Sequence, residues 1–249
     1  MKTAIIVCGQ PRFIEECFPL MKENVIDPNN ADVFAHLWFS EELCTEPYKH
    51  GGAGGWKNQR IKNDSIEKFK ELYKPISLKV EEPKTFLNST INFDESLQRY
   101  FEGAIENPEE PNFRFRTIRD NYSAKYSLLK SSILKKTHEL ENDFKYDYVI
   151  KIRTDVISYI KINAADYDPD LVHYKDMNQP DGMISDWLNL SSSKNMDAYG
   201  SVFNTFEFAL QECVKDTGAY CNELLIRKTL DFFDVKIQGH NWPLALPRF

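Results

Sequence analysis

The chain is short of paired cysteines, long apolar runs and basic charge, and each shortage removes a class of protein. Its five cysteines, Cys8, Cys17, Cys44, Cys213 and Cys221, are odd in number and include no C-x-x-C pair. That pattern supports neither a zinc site nor a disulfide framework. Cys8 falls in an apolar strand pattern and reads as a small buried residue. A membrane span needs about 20 consecutive apolar residues. The opening MKTAIIVCGQPRF reaches Gly9 and Pro11 long before that, so neither a signal peptide nor a span is expected. The net charge of −7 argues against a general nucleic-acid binder, which carries a basic excess. It suits a cytoplasmic protein. The four N-x-S/T sequons, at Asn63, Asn88, Asn121 and Asn189, read as chance in an Asn-rich chain.

Several catalytic signatures are missing as well. There is no H-E-x-x-H and no G-x-S-x-G, so a zincin or an elbow-type hydrolase is unsupported. GQPR, not G-x-G-x-x-G, follows the first apolar run, which removes the main support for a dinucleotide fold. HGGAGGWK at residues 50–57 is not followed by G-K-[ST], so it reads as a flexible loop beside a site before it reads as a phosphate grip. Alternating aspartates in DYDPD, Asp166 to Asp170, lead to Leu171 and Met177 where a calcium loop needs Gly and Glu. Repeats, heptads and low-complexity tracts are absent too.

What is present is an α/β pattern. A length of 249 residues, 42% of them hydrophobic, allows one large domain or two small ones with a substantial core. Residues 3–8 read as a buried strand, stopped by Gly9-Gln10-Pro11-Arg12. Residues 13–24 follow with helical spacing, with a kink expected at Pro19. Residues 31–39, ADVFAHLWF, form the second strand. Strand, helix and strand make a βαβ unit, which implies a mostly parallel sheet flanked by helices. Further helices are expected at 65–73, 119–140, 194–199 (capped by Ser193), 203–214 and 222–231, and strands at 76–80 and 235–237. In the 119–140 helix, Tyr122, Tyr126, Leu129 and Ile133 share one face, while Lys125, Lys130, Lys135 and Lys136 read as a solvated side.

YDYVIKIRTDV, residues 146–156, is the most informative segment. An apolar strand ends in Arg153 and Asp155, with Lys151 interrupting it, so full burial of both faces is not expected. Open α/β sheets bind ligands outside the carboxyl ends of their strands. Asp155 there can hold a metal or a sugar hydroxyl, or it can simply pair with Arg153. Gly9 and Arg12 in the first turn can meet a nucleotide or its pyrophosphate, and Arg153 can supply part of the positive charge.

IIVCGQPRF, ADVFAHLWF and YDYVIKIRTDV together resemble a family of GT-A glycosyltransferase-like proteins from bacterial polysaccharide loci and phages of aquatic bacteria. SDWLNLSSSKNMDAYGSVF, residues 185–203, and YCNELLIRKTL, residues 220–230, are similar to later segments of that family. The resemblance implies a single GT-A-like, Rossmann-like domain over residues 1–249, with 85–111 as an insertion or lid. It implies transfer of a sugar from a nucleotide diphosphate sugar, most simply a UDP-sugar, to a glycan or other small acceptor. Gly9, Gln10, Arg12 and Arg153 would lie at the nucleotide. Asp155 and His240 would hold a divalent metal, Mn²⁺ or Mg²⁺. Asp186 or Glu223 would act as general base.

Arg153 stands where a first acidic residue would stand in D-x-D, so metal use is expected to be weak or optional. The residues leave plainer alternatives open: a cap for Asp186, a helix N-terminal carboxylate for Glu223, and structural roles for His240 and His36. A non-catalytic nucleotide- or carbohydrate-binding protein of the same fold is the alternative function. A nucleotidyltransferase is a third.

Overall fold

The computed structural model describes residues 1–45, 59–84, 111–178, 183–218 and 220–247, without the side chains of 111–119. The Gly-rich loop at 50–57, nearly all of the 85–111 insertion and the turn at 179–182 lie outside the described residues.

The chain is α/β. Strands β1 (Thr3–Gly9), β2 (Asp32–Trp38), β3 (Ser77–Glu81), β4 (Tyr148–Ile152), β6 (Leu171–Lys175), β7 (Leu188–Ser191) and β8 (Lys236–His240) form one sheet in the order β3-β2-β1-β4-β7-β6-β8. All pairings are parallel except those of β7 with β4 and β6. A small antiparallel pair, β5 (Ile157–Ser158) and β9 (Leu244–Ala245), sits beside it.

Helices cover both faces. Ile5 and Val7 of β1 pack with Ile14, Phe18 and Met21 of α1 (Ile14–Met21) and with Phe69 and Tyr73 of a helix at Ser65–Tyr73. A short helix, α2 (Glu41–Thr45), lies between them in sequence, making the Ser65–Tyr73 helix α3. Ala4 and Ile6 point the other way, toward α4 (Pro111–Glu141), α5 (Ser193–Gly200), α6 (Phe206–Thr217) and α7 (Asn222–Phe232). A strand buried on both faces must be apolar throughout, which is why β1 reads as a continuous run rather than an alternation. Each fully buried Ile contributes about 2 kcal/mol to this core.

Pro19 lies inside α1 and gives no N–H to the helix. Three residues later the helix widens into a π turn, Lys22–Ile26, and it ends at Asp27–Asn29.

Several expectations need correction. Lys151 does not expose a face of β4: it is 3% exposed, and its ammonium donates to the carbonyl of Asp186. On α4, Ile133 is 42% exposed, and the buried stripe is Lys125, Leu128, Ser132, Lys135 and Glu139. Apart from Lys125, the polar members are satisfied locally. Lys135 donates to Glu139, Ser193 and Asp197 at 3.1, 2.5 and 2.7 Å, and Glu139 accepts from the Tyr146 N–H at 2.9 Å. Ser193 therefore belongs to this network, and the cap of α5 is Ser192. Strands β6 and β7, absent from the sequence reading, fill the half of the sheet beyond β4.

Candidate functional site

The chain runs outward from β1 through β2 to β3, then returns to lay β4 on the other flank of β1. The connections leaving β1 and β4 therefore diverge. In an open α/β sheet this switch point opens a crevice at the carboxyl ends of the two strands.

The first turn is built for that position. Gly9 has φ 110, a conformation that costs an L side chain strain, while a Cβ there would meet nothing within 4 Å. Conformation rather than space thus demands the glycine. Its N–H donates to Ser127 Oγ of α4 at 2.8 Å. The Arg12 N–H donates to the Gln10 carbonyl at 2.9 Å and to Thr154 Oγ1 at 3.1 Å, and the Thr154 hydroxyl donates to the Gln10 carbonyl at 3.1 Å. Thr154, just past β4, so fastens the first turn to the R-x-D segment. The Arg12 guanidinium folds back on Gln10 Oε1, with Nε at 2.9 Å. Phe13, buried, sits in the left-handed region at φ 50 and starts α1. A bulky residue there stores strain, and such strain clusters at functional turns.

Arg153 meets Asp155 as a fork, Nε to Oδ1 and Nη2 to Oδ2, both at 2.8 Å. Its Nη1 reaches Asp186 Oδ1 at 3.2 Å. Burial alone would raise the Asp155 carboxyl, but Arg153, then Arg12, hold it below the ordinary carboxylate range. Asp186 is likewise pushed up by burial and pulled well down by Arg153, Lys151 and Lys125. Arg153 stays charged: burial opposes it, and the two aspartates outweigh burial. The arrangement is a rigid, alternating cluster of charges at the switch point.

The structure thus brings together Gly9, Gln10, Arg12, Arg153, Asp155 and Asp186. Glu223, half-buried in the first turn of α7, lies at the margin: its carbonyl accepts the Ile184 N–H at 3.4 Å, and its charge is felt by Lys125. His240 is placed elsewhere, at the end of edge strand β8, three strand spacings or about 14 Å from β4. Its Nε2 lies 2.8 Å from His173 Nδ1, and its ring stacks on Trp242 at 4.9 Å.

The donor chemistry decides whether Asp155 and His240 fit a divalent metal. Asp155 spends both oxygens on Arg153, and His240 is bonded to His173 in the far half of the sheet. Among the described residues no cluster of three His, Cys, Asp or Glu stands together. As placed, these residues do not fit a shared metal ion.

Thr154 and the burial of Lys125 escaped the sequence reading, whereas His36 takes the core position in β2 that was open to it. Thr154 carried no signal apart from its place in the R-x-D segment. Lys125 is 3% exposed, and its ammonium makes no hydrogen bond or ion pair among the described residues. Burial lowers its pKa to about 8, with Asp186 raising it and Lys151 lowering it further. His36, fully buried, has Nδ1 2.8 Å from Ser127 Oγ and Nε2 3.7 Å from Glu81. Burial depresses that imidazole to about 4, against the pull of Glu81. Serine, histidine and glutamate in series suggest a hydrolytic relay. Yet Ser127 is fully buried and already engaged by the Gly9 N–H and the His36 carbonyl at 3.0 Å. It pins β1 and β2 to α4.

Among the described residues no helix is long and apolar enough to cross a membrane. No protein-family model matches the chain, and no curated protein matches it.

Proposed function

We propose that this chain is a nucleotide-sugar-dependent glycosyltransferase, with a UDP-sugar as donor and a glycan or other small hydroxyl compound as acceptor. One observation carries the reading: the Gly9–Phe13 turn, strained at Phe13, and the Arg153–Asp155–Asp186 cluster meet at the switch point of a mostly parallel sheet. A diphosphate needs cations and backbone N–H groups, and a sugar needs fixed carboxylates for its hydroxyls. Both are present.

In the reaction the acceptor hydroxyl attacks the anomeric carbon, the bond from that carbon to the diphosphate oxygen breaks, and the hydroxyl proton leaves to a base. Asp186 is poorly suited as the base. Its carboxylate is held ionised well below the usual range, whereas a general base works best near the operating pH. Asp186 fits better as an acceptor of sugar hydroxyl hydrogen bonds, which leaves Glu223 as the candidate base. Arg153 holds Asp155 and Asp186 in register, and its positive charge faces the developing negative charge of the leaving diphosphate.

The test is a donor screen for nucleoside diphosphate release with mixed glycan acceptors, run beside direct binding of the same donors. One donor is expected to turn over, and Glu223→Gln is expected to lower kcat by about 10² or more, the usual scale of general-base loss. Tight binding with the donor left intact would instead identify a non-catalytic binding protein. Preference for a nucleoside triphosphate would point to nucleotidyl transfer and sink the proposal.

A further inference from the structure

Lys125 has no structural task in the described residues. It is 3% exposed on α4, near enough to Cys8 at the end of β1, Lys151 of β4, Asp186 and Glu223 for their charges to act on one another. Every other buried cation in this half of the molecule is held. Lys135 is fixed by three oxygens, Lys151 by the Asp186 carbonyl, and Arg153 by two carboxylates. The Lys125 Nζ is not among the described buried polar atoms that lack a partner, so the ammonium opens onto solvent although the residue as a whole is buried. A cation that reaches solvent with no protein partner is open to an anionic ligand, which it would hold by charge-assisted hydrogen bonds.

The charge balance of the crevice gives the sign of that ligand. Arg12, Lys125, Lys151 and Arg153 face Asp155, Asp186 and Glu223, so a chain with a net charge of −7 carries a local cationic excess here. The unassigned charge is the lysine.

We infer that Lys125 is an anion-binding residue that receives the diphosphate of the donor, doing with a protein cation what a divalent metal would otherwise do at this crevice. This rests on the nucleotide-sugar reading and adds to it a named ligand contact. Arg153 already takes both oxygens of Asp155, the carboxylate that would carry a metal. The diphosphate oxygens then approach Lys125 directly, and their charge draws a proton onto it when it is partly neutral. Binding of the leaving group and protonation of Lys125 are thereby coupled.

The experiment is calorimetric titration of the full chain with UDP, GDP and CDP in EDTA. Each titration is run in two buffers of different ionisation enthalpy, at pH 8 and at pH 6.5, and repeated with Lys125→Met and with Mn²⁺ in place of EDTA. The expected result is EDTA-insensitive binding of one diphosphate, with net proton uptake at pH 8 that shrinks at pH 6.5. In Lys125→Met the uptake should vanish and affinity should fall about tenfold to hundredfold, as for loss of one charge-assisted hydrogen bond. If wild type binds and Lys125→Met matches it in affinity and proton uptake, the lysine assignment is overturned while the nucleotide-sugar reading stands. Binding that requires Mn²⁺ and takes up no proton overturns it too. If wild type binds no diphosphate under any condition, both readings fall together. Should Lys125→Met not fold, proton uptake by wild type at pH 8 decides alone, and its absence overturns the inference.

Discussion

At the scale of single residues, the cluster behind β4 ties stability to protonation with a definite sign. Asp155 and Asp186 both have carboxyls held below their ordinary values by Arg153 and its neighbours. A depressed carboxyl stabilises the fold fully above its unfolded pKa, about 3.9 for Asp, and the contribution is lost as pH falls toward the folded value. Urea unfolding midpoints should therefore be flat from pH 7 to 5 and fall steeply below about pH 4. Asp186→Asn should lower the plateau and make the acid fall shallower, because that linkage is gone. An equally steep fall in the variant would show that Asp186 is not held by Arg153. The sequence already offered Arg153 and Asp155 as a pair or as a site. The geometry shows the pair, and places it where a site belongs. Lys125 was illegible because a lysine on a helix ordinarily lies in water, and only the packing of α4 on β1 and β2 reveals that this one is buried.

At the scale of elements, α4 shows why hydrophobic periodicity misled. Its buried stripe is largely polar, since Lys135 and Glu139 join it to Ser193 and Asp197 of α5 and to the backbone before β4. An apolar template selects the neighbouring face, with Ile133, which faces solvent. Strands β6 and β7 were missed for another reason: LVHYK and LNLS bury polar residues, His173, Asn189 and Ser191, so no continuous apolar run marks them. The α4–α5 contact depends on small residues. A Cβ on Gly200 would collide with the side chain of Ser132, including Ser132 Cβ at 2.9 Å. Gly200→Ala should destabilise by about 1–3 kcal/mol through overpacking, despite the better helix propensity of alanine. Thermal unfolding of Gly200→Ala and of Gly200→Ala with Ser132→Gly checks this. The double variant should recover most of the loss, and an unchanged midpoint in the single variant would mean that the helices can part without cost.

At the scale of the whole molecule, the order of the strands decides where a ligand sits. The βαβ unit at the start was legible because each element there is long and strongly patterned. The return of the chain to place β4 beside β1 was not, since sequence carries no local mark of which strands become neighbours. That return separates the molecule into two candidate regions at the carboxyl ends of its strands: the crevice at β1 and β4, and the His173–His240–Trp242 cluster at the β8 edge. Hydrogen exchange distinguishes them, because amides in a bound region open less often when the ligand must leave first. With saturating UDP, exchange should slow at residues 9–13, 153–156 and 184–187, where the first turn, the R-x-D segment and Asp186 converge. Residues 236–240 at the edge should exchange at an unchanged rate. Protection confined to β8 and His240 would move the site to the edge of the sheet. It would also take with it the roles given to Arg153, Asp155 and Lys125, since none of them reaches that far.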